Sequence, residues 1–298
     1  MWSSLGVGIG AAVAAAYPGS TITYQTSSGG LANAKLISDG RVPLGIAADM
    51  ELNAAVTGAG PFKGNPLDSL RTLARVYDSG STRFQMFQAV LDRAFAEKHG
   101  ITGFADIVAK RIPVRVAVNR PGNMDGDVAL EILQGVGLTE MAIKANGGSL
   151  VRAATAEMTS LMQDRRIDLA FAGYAFNHAG IREMARSFTP MLLSVPRPVA
   201  EKVAANNFGE VCGVKPGEYE WNTHPVETVC VGGVVIVKAS MPEDTAYRLA
   251  KALVEKVENF HSGHKALKSI TPAMMVKPGA APFHPGALKY YREAGLVK

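Results

Sequence analysis

A small-residue turn, Ser27-Ser28-Gly29-Gly30, has the residue types suited to binding an anion. It follows the β-branched and aromatic run Thr21 to Gln25, which predicts a strand. It precedes residues 31–38, whose apolar side chains recur at helical spacing. Backbone N–H groups and hydroxyls at such a helix N-terminus point toward anions. The turn therefore predicts an anion site, with an ordinary βα turn as the alternative.

The elements around this turn form a strand–turn–helix–strand unit. Gly40 stands where a helix would end, and residues 42–47 read as a second strand. A second such arrangement runs from a strand at 112–118, through a polar turn, into a helix at 127–134. Open α/β sheets bind ligands beyond the carboxyl ends of their strands. We therefore expect both turns to carry binding residues of an α/β protein.

Polar side chains near other predicted strand ends are candidates for ligand contact, each with a structural alternative. Arg83 could clamp a carboxylate through two hydrogen bonds, or it could be a surface arginine. Asp125 could face a ligand ammonium group, but capping of the following helix is the favoured role. Tyr174 could contact a ligand or pack between lobes, and Asn177 offers both a donor and an acceptor.

The composition is that of a globular protein long enough for two lobes, with 298 residues of which 47% are hydrophobic and 19% charged. The net charge is +5, but the basic residues are scattered, whereas a nucleic-acid-binding protein would cluster them. No apolar run reaches the ~18 residues needed to span a bilayer. No nucleophile-elbow, phosphate-loop, dinucleotide or zinc-protease motif is present, which disfavours an enzyme and predicts no cofactor.

Three further features leave alternatives open. Residues 5–16 (LGVGIGAAVAAA) could be the core of a signal peptide, although a buried apolar helix is favoured. Cys212 and Cys230 could form a disulfide in an oxidising compartment or remain buried thiols. His261 and His264 are spaced like a metal pair, but no third ligand stands near them, so we expect helix-end residues and no metal site.

Several segments resemble TRAP-transporter solute receptors of the TAXI family. They are GGLANAKLISDGRVPLGIAAD at residues 29–49, RIDLAFAG at 166–173 and PFHPGALKYYREAG at 282–295. Pro121-Gly122 matches the second turn of the family, but Asn123-Met124-Asp125 replaces its hydroxyl-bearing residues. Pro43 also replaces a usual acidic residue. The resemblance covers nearly the whole chain.

This resemblance implies an α/β, two-lobed, type II periplasmic-binding-protein-like fold with mixed sheets flanked by helices and an interlobe ligand cleft. Lobe 1 is expected at residues 1–90 and 226–298 and lobe 2 at 112–222, with crossover segments at 91–111 and 223–232. In the family a strand precedes the first helix, so that first strand is expected to be missing here, with Trp2-Ser3 in place of an aromatic pair.

The resemblance further implies a monomeric periplasmic receptor, its leader absent from this chain, that binds a small organic anion by hinge closure. The family ligands are carboxylates such as glutamate or 2-oxoglutarate, delivered to TRAP membrane permease subunits. The alternatives are an enzyme acting on a small anionic metabolite and a ligand-sensing domain. The expected ligand-binding residues are Trp2, Ser3, Ser27, Ser28, Gly29, Gly30, Asn33, Asp49, Arg83, Arg120, Asn123, Met124, Asp125, Tyr174 and Asn177.

Overall fold

The computed structural model describes residues 2–121 and 123–298, which form two compact units. Unit 1 comprises Met1–Thr82 and Gly232–Lys298, and unit 2 comprises Arg83–Val231. These bounds differ from those of the predicted lobes, because residues 83–111 belong to unit 2 rather than to lobe 1 and a crossover. Among the described residues, no helix is both long and apolar enough to cross a membrane.

The strands and helices are numbered here in chain order. The strands are β1 Leu44–Ala48, β2 Leu70–Tyr77, β3 Met86–Asp92, β4 Arg115–Val118, β5 Ser149–Arg152, β6 Leu169–Tyr174, β7 Pro190–Leu193, β8 Gly209–Val214, β9 Val226–Val231 and β10 Gly233–Lys238. The helices are α1 Trp2–Ala16, α2 Gly30–Ser38, α3 Asp49–Thr57, α4 Arg93–His99, α5 Phe104–Ala109, α6 Met124–Gly135, α7 Glu140–Ala145, α8 Thr155–Gln163, α9 Ala179–Ser187, α10 Arg197–Asn206, α11 Glu243–Glu255, α12 Val257–His261, α13 Pro272–Met275 and α14 Pro285–Glu293.

Unit 1 is built on a three-stranded antiparallel sheet of order β1-β10-β2. The central strand β10 is an almost continuous run of valine and isoleucine, as expected for a strand buried on both faces. Helices α2 and α3 bury Ile37 and Leu52 in one cluster with Val234 and Ile236 of that strand. This packing sets the position of the turn that precedes α2.

Residues 5–16 lie in helix α1, which is a folded part of unit 1. This agrees with the favoured interpretation of the segment as a buried apolar helix. The helix buries Leu5, Ile9 and Val13, and it packs against α11 and α12. Gly8 lies directly against the backbone carbonyl of Phe260, so the glycines allow close helix packing.

The predicted strand at Thr21 to Gln25 is wrong, because this segment belongs to no strand of either sheet. In the part of the chain that the structure describes, residues 21–26 make no backbone–backbone hydrogen bond. The composition of residues 21–25 is that of a strand. A strand also needs a neighbouring strand to pair with, and the local sequence does not supply one.

Unit 2 contains a seven-stranded mixed sheet. Six strands follow the order β5-β4-β6-β3-β9-β8, and β7 pairs with β3. Strand β4 runs parallel to both β5 and β6, whereas the other pairs are antiparallel. The carboxyl ends of β4 and β6 therefore lie at the same edge. The predicted mixed α/β class with helices flanking the sheets is confirmed.

The long apolar run at residues 227–237 is divided into two strands that belong to different sheets. Strand β9 pairs with β8 and β3, whereas β10 pairs with β1 and β2. The division falls at Gly232, which lies between the strands. Hydrophobicity alone does not reveal this break, because both strands are equally apolar.

Cys212 and Cys230 form a disulfide between the neighbouring strands β8 and β9, with a Cα–Cα distance of 5.8 Å. The sequence left this pairing open against two free thiols, and the disulfide is the alternative that the structure shows.

Candidate functional site

The turn at residues 27–30 has a backbone that depends on glycine. Gly29 has a φ of 116°, in the region that favours glycine. Its N–H donates to the Ser27 hydroxyl at 3.3 Å. Helix α2 carries no side-chain cap at its N-terminus. The local geometry therefore has the turn followed by a helix start that the sequence predicted.

A carboxylate of the protein itself approaches this helix start. The N–H of Gly30 donates to Glu51 Oε1 at 3.2 Å, and the N–H of Ala48 donates to Oε2 at 3.0 Å. Glu51 is buried, and a Cβ on Gly30 would lie 1.9 Å from its Oε2. Glu51 thus takes the Gly30 amide that was predicted for a ligand anion, while Ser28 and Gly29 remain candidates.

Asn33 and Asp49 both form structural bonds in unit 1. The Asn33 Nδ2 donates to the Ile46 carbonyl at 2.7 Å. Asp49 accepts two hydrogen bonds from Arg75, at 2.6 and 3.1 Å, and both side chains are buried. Arg75 also donates to the Pro278 carbonyl at 2.6 Å. Arg75 was not among the predicted residues, although an arginine inside an apolar strand is itself a signal for a buried partner.

A cavity of about 420 Å³ lies within unit 1 and brings three predicted residues together, namely Trp2, Ser27 and Asn33. Its other walls come from α1, residues 21–26, Leu36 of α2 and residues 41–46. Most of the lining side chains are apolar or hydroxyl-bearing, and the charged one is Arg41, which is exposed. Ser3 is exposed and does not line this cavity.

The second turn leads from β4 into α6, and Asn123 caps that helix. Its Oδ1 accepts from the Asp125 N–H at 2.9 Å. The favoured interpretation of Asp125 as the cap is therefore wrong, because the residue two positions earlier takes that place. Gly122, which matched the family turn, lies outside the described residues.

The Asp125 carboxylate instead lies beside Gln85 and Gly173. Gln85 Nε2 donates to its Oδ1 at 2.5 Å, and a Cβ on Gly173 would lie 2.9 Å from that oxygen. Asp125 as a residue is half-buried, yet dense protein around the carboxyl group raises its pKa to about 6, while the Gln85 hydrogen bond opposes the rise. The group therefore titrates near neutral pH.

Tyr174 and Asn177 follow β6 and have different surroundings. Tyr174 is fully buried in the core of unit 2, with its hydroxyl 4.0 Å from the sulfur of Met158. Burial and the nearby Asp125 charge raise the pKa of Tyr174. Asn177 has a φ of 57° and an exposed side chain, and its N–H donates to the Tyr219 hydroxyl at 2.9 Å. Tyr174 therefore packs within the core of unit 2 rather than at the predicted position between lobes, while Asn177 remains accessible.

Both predicted arginines already have acidic partners. Arg83 donates to both carboxylate oxygens of Glu218, at 2.8 and 3.0 Å, and its guanidinium lies 4.0 Å from the ring centroid of Phe176. Arg120 donates to Glu157 at 2.6 Å, and both side chains of this pair are exposed. A carboxylate ligand would have to compete with these protein carboxylates.

A polar and aromatic cluster of unit 2 was missed by the sequence analysis. The Tyr219 hydroxyl donates to Gln88 Oε1 at 3.0 Å, and its ring stacks on Trp221 with centroids 4.7 Å apart. Gln85 and Gln88 belong to the run RFQMFQAV at residues 83–90. No local pattern identifies both glutamines, because they are three positions apart and side chains share one face of a strand only at a spacing of two.

The C-terminal motif, which is the most specific part of the family resemblance, is structural. His284 is fully buried, and its Nδ1 accepts from the Gly286 N–H at 3.2 Å at the start of α14. Tyr291 donates to the Leu73 carbonyl at 2.8 Å. His261 and His264 contact backbone groups of residues 270 and 266, and no group of three potential metal ligands occurs among the described residues.

The fold resembles solved periplasmic binding proteins over nearly the whole chain. MatC from Rhodopseudomonas palustris, solved with bound malate, is 13% identical with a TM-score of 0.54, covering 99% of this chain and 94% of MatC. The periplasmic binding protein BugD is 10% identical with a TM-score of 0.54, covering 100% and 94%. The aliphatic sulphonate binding protein SsuA from Escherichia coli is 13% identical with a TM-score of 0.51, covering 97% and 80%.

These similarities show that the chain has the two-lobed periplasmic-binding-protein fold. The model of the NMT1-like family matches residues 1–295, almost the entire sequence. The chain therefore belongs to the NMT1-like family.

Proposed function

We propose that this protein is an extracytoplasmic solute-binding protein that captures a small organic anion and delivers it to a membrane permease. The observation that carries this proposal is the full-length match to the NMT1-like family. The fold likeness to MatC, whose solved structure holds malate, is consistent with it. Binding is the whole of the proposed activity, and no catalytic step is included.

The disulfide supports a location outside the cytoplasm. Cys212 and Cys230 join adjacent strands of unit 2, and disulfides persist in oxidising compartments such as the bacterial periplasm. Closing a loop of this length contributes about 3 kcal/mol to the free energy of unfolding. The disulfide therefore supports the proposed periplasmic location.

The finer assignment follows the sequence motifs. The resemblance to TAXI receptors supports a TRAP permease as the partner and a carboxylate, such as glutamate or 2-oxoglutarate, as the ligand. We propose that unit 1 contributes Ser27, Ser28 and Gly29 to ligand contact and that unit 2 contributes Asn123 and Asp125. Three further features stay predictions: hinge closure, an interlobe cleft and a monomeric state. Ligand contacts also stay predictions for Trp2, Ser3, Met124 and Asn177.

Asp125 gives the proposed anion site a pH dependence. The protonated carboxyl group can donate a hydrogen bond to a carboxylate, whereas the ionised group repels it. Because the pKa of Asp125 is about 6, we expect a dicarboxylate to bind more tightly at pH 5 than at pH 8. Tighter binding at pH 8 would instead indicate a ligand ammonium group facing Asp125.

The test begins with native mass spectrometry of the purified protein, to identify any copurified ligand. Thermal-shift titrations follow with C4–C6 dicarboxylates and acidic amino acids, at pH 5 and pH 8. A ligand that binds only the native state raises the melting temperature with concentration. Succinamide is the matched neutral control for succinate. If no acid raises the melting temperature at either pH, the carboxylate assignment fails.

A further inference from the structure

Asn177 of unit 2 has a backbone conformation that few residues other than glycine adopt. Its φ is 57°, and it occupies the third position of a turn in which the His178 N–H donates to the Ala175 carbonyl at 3.1 Å. Asparagine is one of the residues that tolerate this region. Its side chain is exposed, and the turn directly follows β6, at the edge where β4 and β6 have their carboxyl ends. Ligands of α/β proteins bind beyond such strand ends.

Both backbone polar groups of Asn177 are held by side chains. Its N–H donates to the Tyr219 hydroxyl at 2.9 Å, and its carbonyl accepts from Arg182 Nη1. The preceding residue is fixed as well, since the Phe176 N–H donates to the Arg83 carbonyl at 2.8 Å. Unfavourable backbone geometry persists where the surrounding contacts determine it, and such residues cluster at binding sites. These contacts therefore indicate a turn that presents the Asn177 side chain in one fixed orientation.

The directions of the hydrogen bonds through Tyr219 are fixed by chemistry. A backbone N–H can only donate, so the Tyr219 oxygen accepts from Asn177. The hydroxyl then donates its own proton to Gln88 Oε1 at 3.0 Å. Gln88 Nε2 in turn donates to the Tyr174 carbonyl at 3.3 Å, at the end of β6. The hydroxyl therefore links the turn to β3 and, through Gln88, to the strand that the turn follows.

The Tyr219 ring is held in place by its aromatic neighbours. It stacks on Trp221 with ring centroids 4.7 Å apart, and the centroid of the Phe176 ring lies 5.0 Å away. The residue is 6% exposed, and burial raises the pKa of its hydroxyl to about 12. The hydroxyl therefore keeps its proton at pH 5 and at pH 8, so its hydrogen bond to Gln88 is present under both conditions.

The surroundings of Asn177 suit a carboxylate. Its Nδ2 group can donate to a carboxylate oxygen. The exposed guanidinium of Arg182 lies beside the Asn177 carbonyl, and a cation nearby favours the binding of an anion. Because the backbone of Asn177 determines where its side chain points, a group that fixes the backbone also determines the geometry of this contact.

We propose that Tyr219 is a positioning residue for ligand binding: its hydroxyl holds Asn177 in the left-handed conformation, from which the Asn177 carboxamide donates to a carboxylate of the ligand. The contact with a carboxylate rests on the proposed function, whereas the conformational role of Tyr219 does not. Tyr219 acts only through Asn177 and makes no ligand contact of its own. The affinity for a ligand should therefore depend on the Tyr219 hydroxyl only when the Asn177 side chain is present.

Tyr219→Phe removes the hydroxyl and keeps the stacked ring. We expect hydrogen exchange at the Asn177 amide, measured by NMR in the ligand-free protein, to become about tenfold faster, because the amide loses its acceptor. Tyr247→Phe is the matched control, since it removes an exposed hydroxyl that is bonded to Glu293 in unit 1. Unchanged exchange at Asn177 in Tyr219→Phe would overturn the proposal. Equally faster exchange throughout unit 2 would also overturn it, since the hydroxyl would then support general stability and not this turn.

Calorimetric titrations with succinate, glutamate and 2-oxoglutarate test the contact with a ligand. We expect Tyr219→Phe to weaken binding about five- to tenfold, and by the same factor at pH 5 and pH 8. Asn177→Gly suits the left-handed backbone but lacks the carboxamide. Adding Tyr219→Phe to Asn177→Gly should therefore change the affinity by no more than about twofold. An equally large effect of Tyr219→Phe in the glycine background would refute action through Asn177.

The two kinds of measurement separate failure of this inference from failure of the proposed function. If none of the three acids binds the unsubstituted protein, the carboxylate assignment fails, and the contact of Asn177 with a carboxylate fails with it. Exchange at the Asn177 amide still decides in that case whether Tyr219 holds the turn. If the acids bind, and neither Tyr219→Phe nor Asn177→Gly weakens their binding, the proposed function stands and the positioning role of Tyr219 is wrong.

Discussion

Asp49 of unit 1 and Asp125 of unit 2 each lie in the first turn of a helix that follows a strand, yet their surroundings differ. Asp49 is buried with Arg75, which donates two hydrogen bonds to it. Asp125 receives a hydrogen bond from the neutral Gln85, and no cation pairs with it among the described residues. Burial raises the pKa of both carboxyl groups, but in Asp49 the guanidinium opposes the rise.

The difference separates a structural carboxylate from one that is available for ligand chemistry. A buried charge is tolerated when an opposite charge and hydrogen bonds compensate its desolvation. Asp49 meets that condition, so its predicted ligand contact would require breaking the ion pair. Asp125 does not meet this condition. A change of pH, or a hydrogen-bond donor on a ligand, can therefore alter the charge of its carboxyl group at a lower cost in free energy. Substitutions at these residues and their partners test this contrast.

The largest effect is expected from Arg75→Met. Removing the guanidinium leaves Asp49 buried without its cation, and breaking such a pair costs about 3–5 kcal/mol of the free energy of unfolding. Urea unfolding monitored by circular dichroism measures the loss. The double variant Arg75→Met with Asp49→Leu is the control, and we expect it to recover most of the stability. A loss below about 1 kcal/mol in the single variant would contradict a buried structural pair.

Asp125→Asn should change how stability depends on pH. The folded-state pKa of Asp125 is about 6, above the value of about 3.9 for an unfolded aspartate. The folded protein therefore binds the extra proton, and its stability falls as pH rises from about 4 to above 6, by about 2–3 kcal/mol in total.

The asparagine variant lacks this fall, so its stability relative to the unsubstituted protein should increase with pH. Urea unfolding at pH 4.5, 5.5 and 7 measures the difference. Asp127→Asn, on the exposed side of the same helix, is the matched control. Parallel pH profiles for the Asp125 variant and the unsubstituted protein would show that Asp125 is not the titrating group.

Glu51→Ala tests the helix start of unit 1. It leaves the N–H groups of Gly30 and Ala48 without their carboxylate acceptor, at an expected cost of about 2 kcal/mol. Glu51→Gln keeps one acceptor oxygen and should lose about half as much. If the alanine variant gains affinity for sulfate at the same time, the Gly30 amide is the anion site that Glu51 occupies. Unchanged stability in the alanine variant would contradict a structural role for Glu51.

Asn123→Ala gives the smallest expected effect, since it removes only the cap of α6. Loss of an N-cap costs about 1 kcal/mol, and Asn123→Ser should restore most of it. Chemical unfolding of both variants measures the difference. An alanine variant that loses ligand affinity far beyond this stability change would place Asn123 in direct ligand contact.

Much of the secondary structure could be predicted from local pattern. The helix at 31–38 matches α2, and the strand at 42–47 matches β1 within two residues. These succeed because helical spacing and apolar runs are local properties. Thr21 to Gln25 failed because strand formation depends on a partner that lies elsewhere in the chain.

The candidate site was less predictable, because polar side chains acquire roles from distant partners. Arg83 has Glu218 as its partner, 135 residues away, and Asp49 has Arg75. The local sequence identifies neither partner, although the position of Arg75 inside an apolar strand indicates that it has one. A polar residue was expected to cap the N-terminus of α6, and a polar residue does so. The cap is Asn123 instead of the predicted Asp125.

The sequence by itself determined the α/β class, the order of most elements and the residue types available at the two turns, because periodicity, glycine placement and composition act over a few residues. Only the tertiary structure decided which polar groups are already satisfied, which carboxylate has no cation beside it among the described residues, and that the chain divides between β9 and β10. Those outcomes depend on burial and on contacts between residues far apart in the chain, which no local pattern encodes.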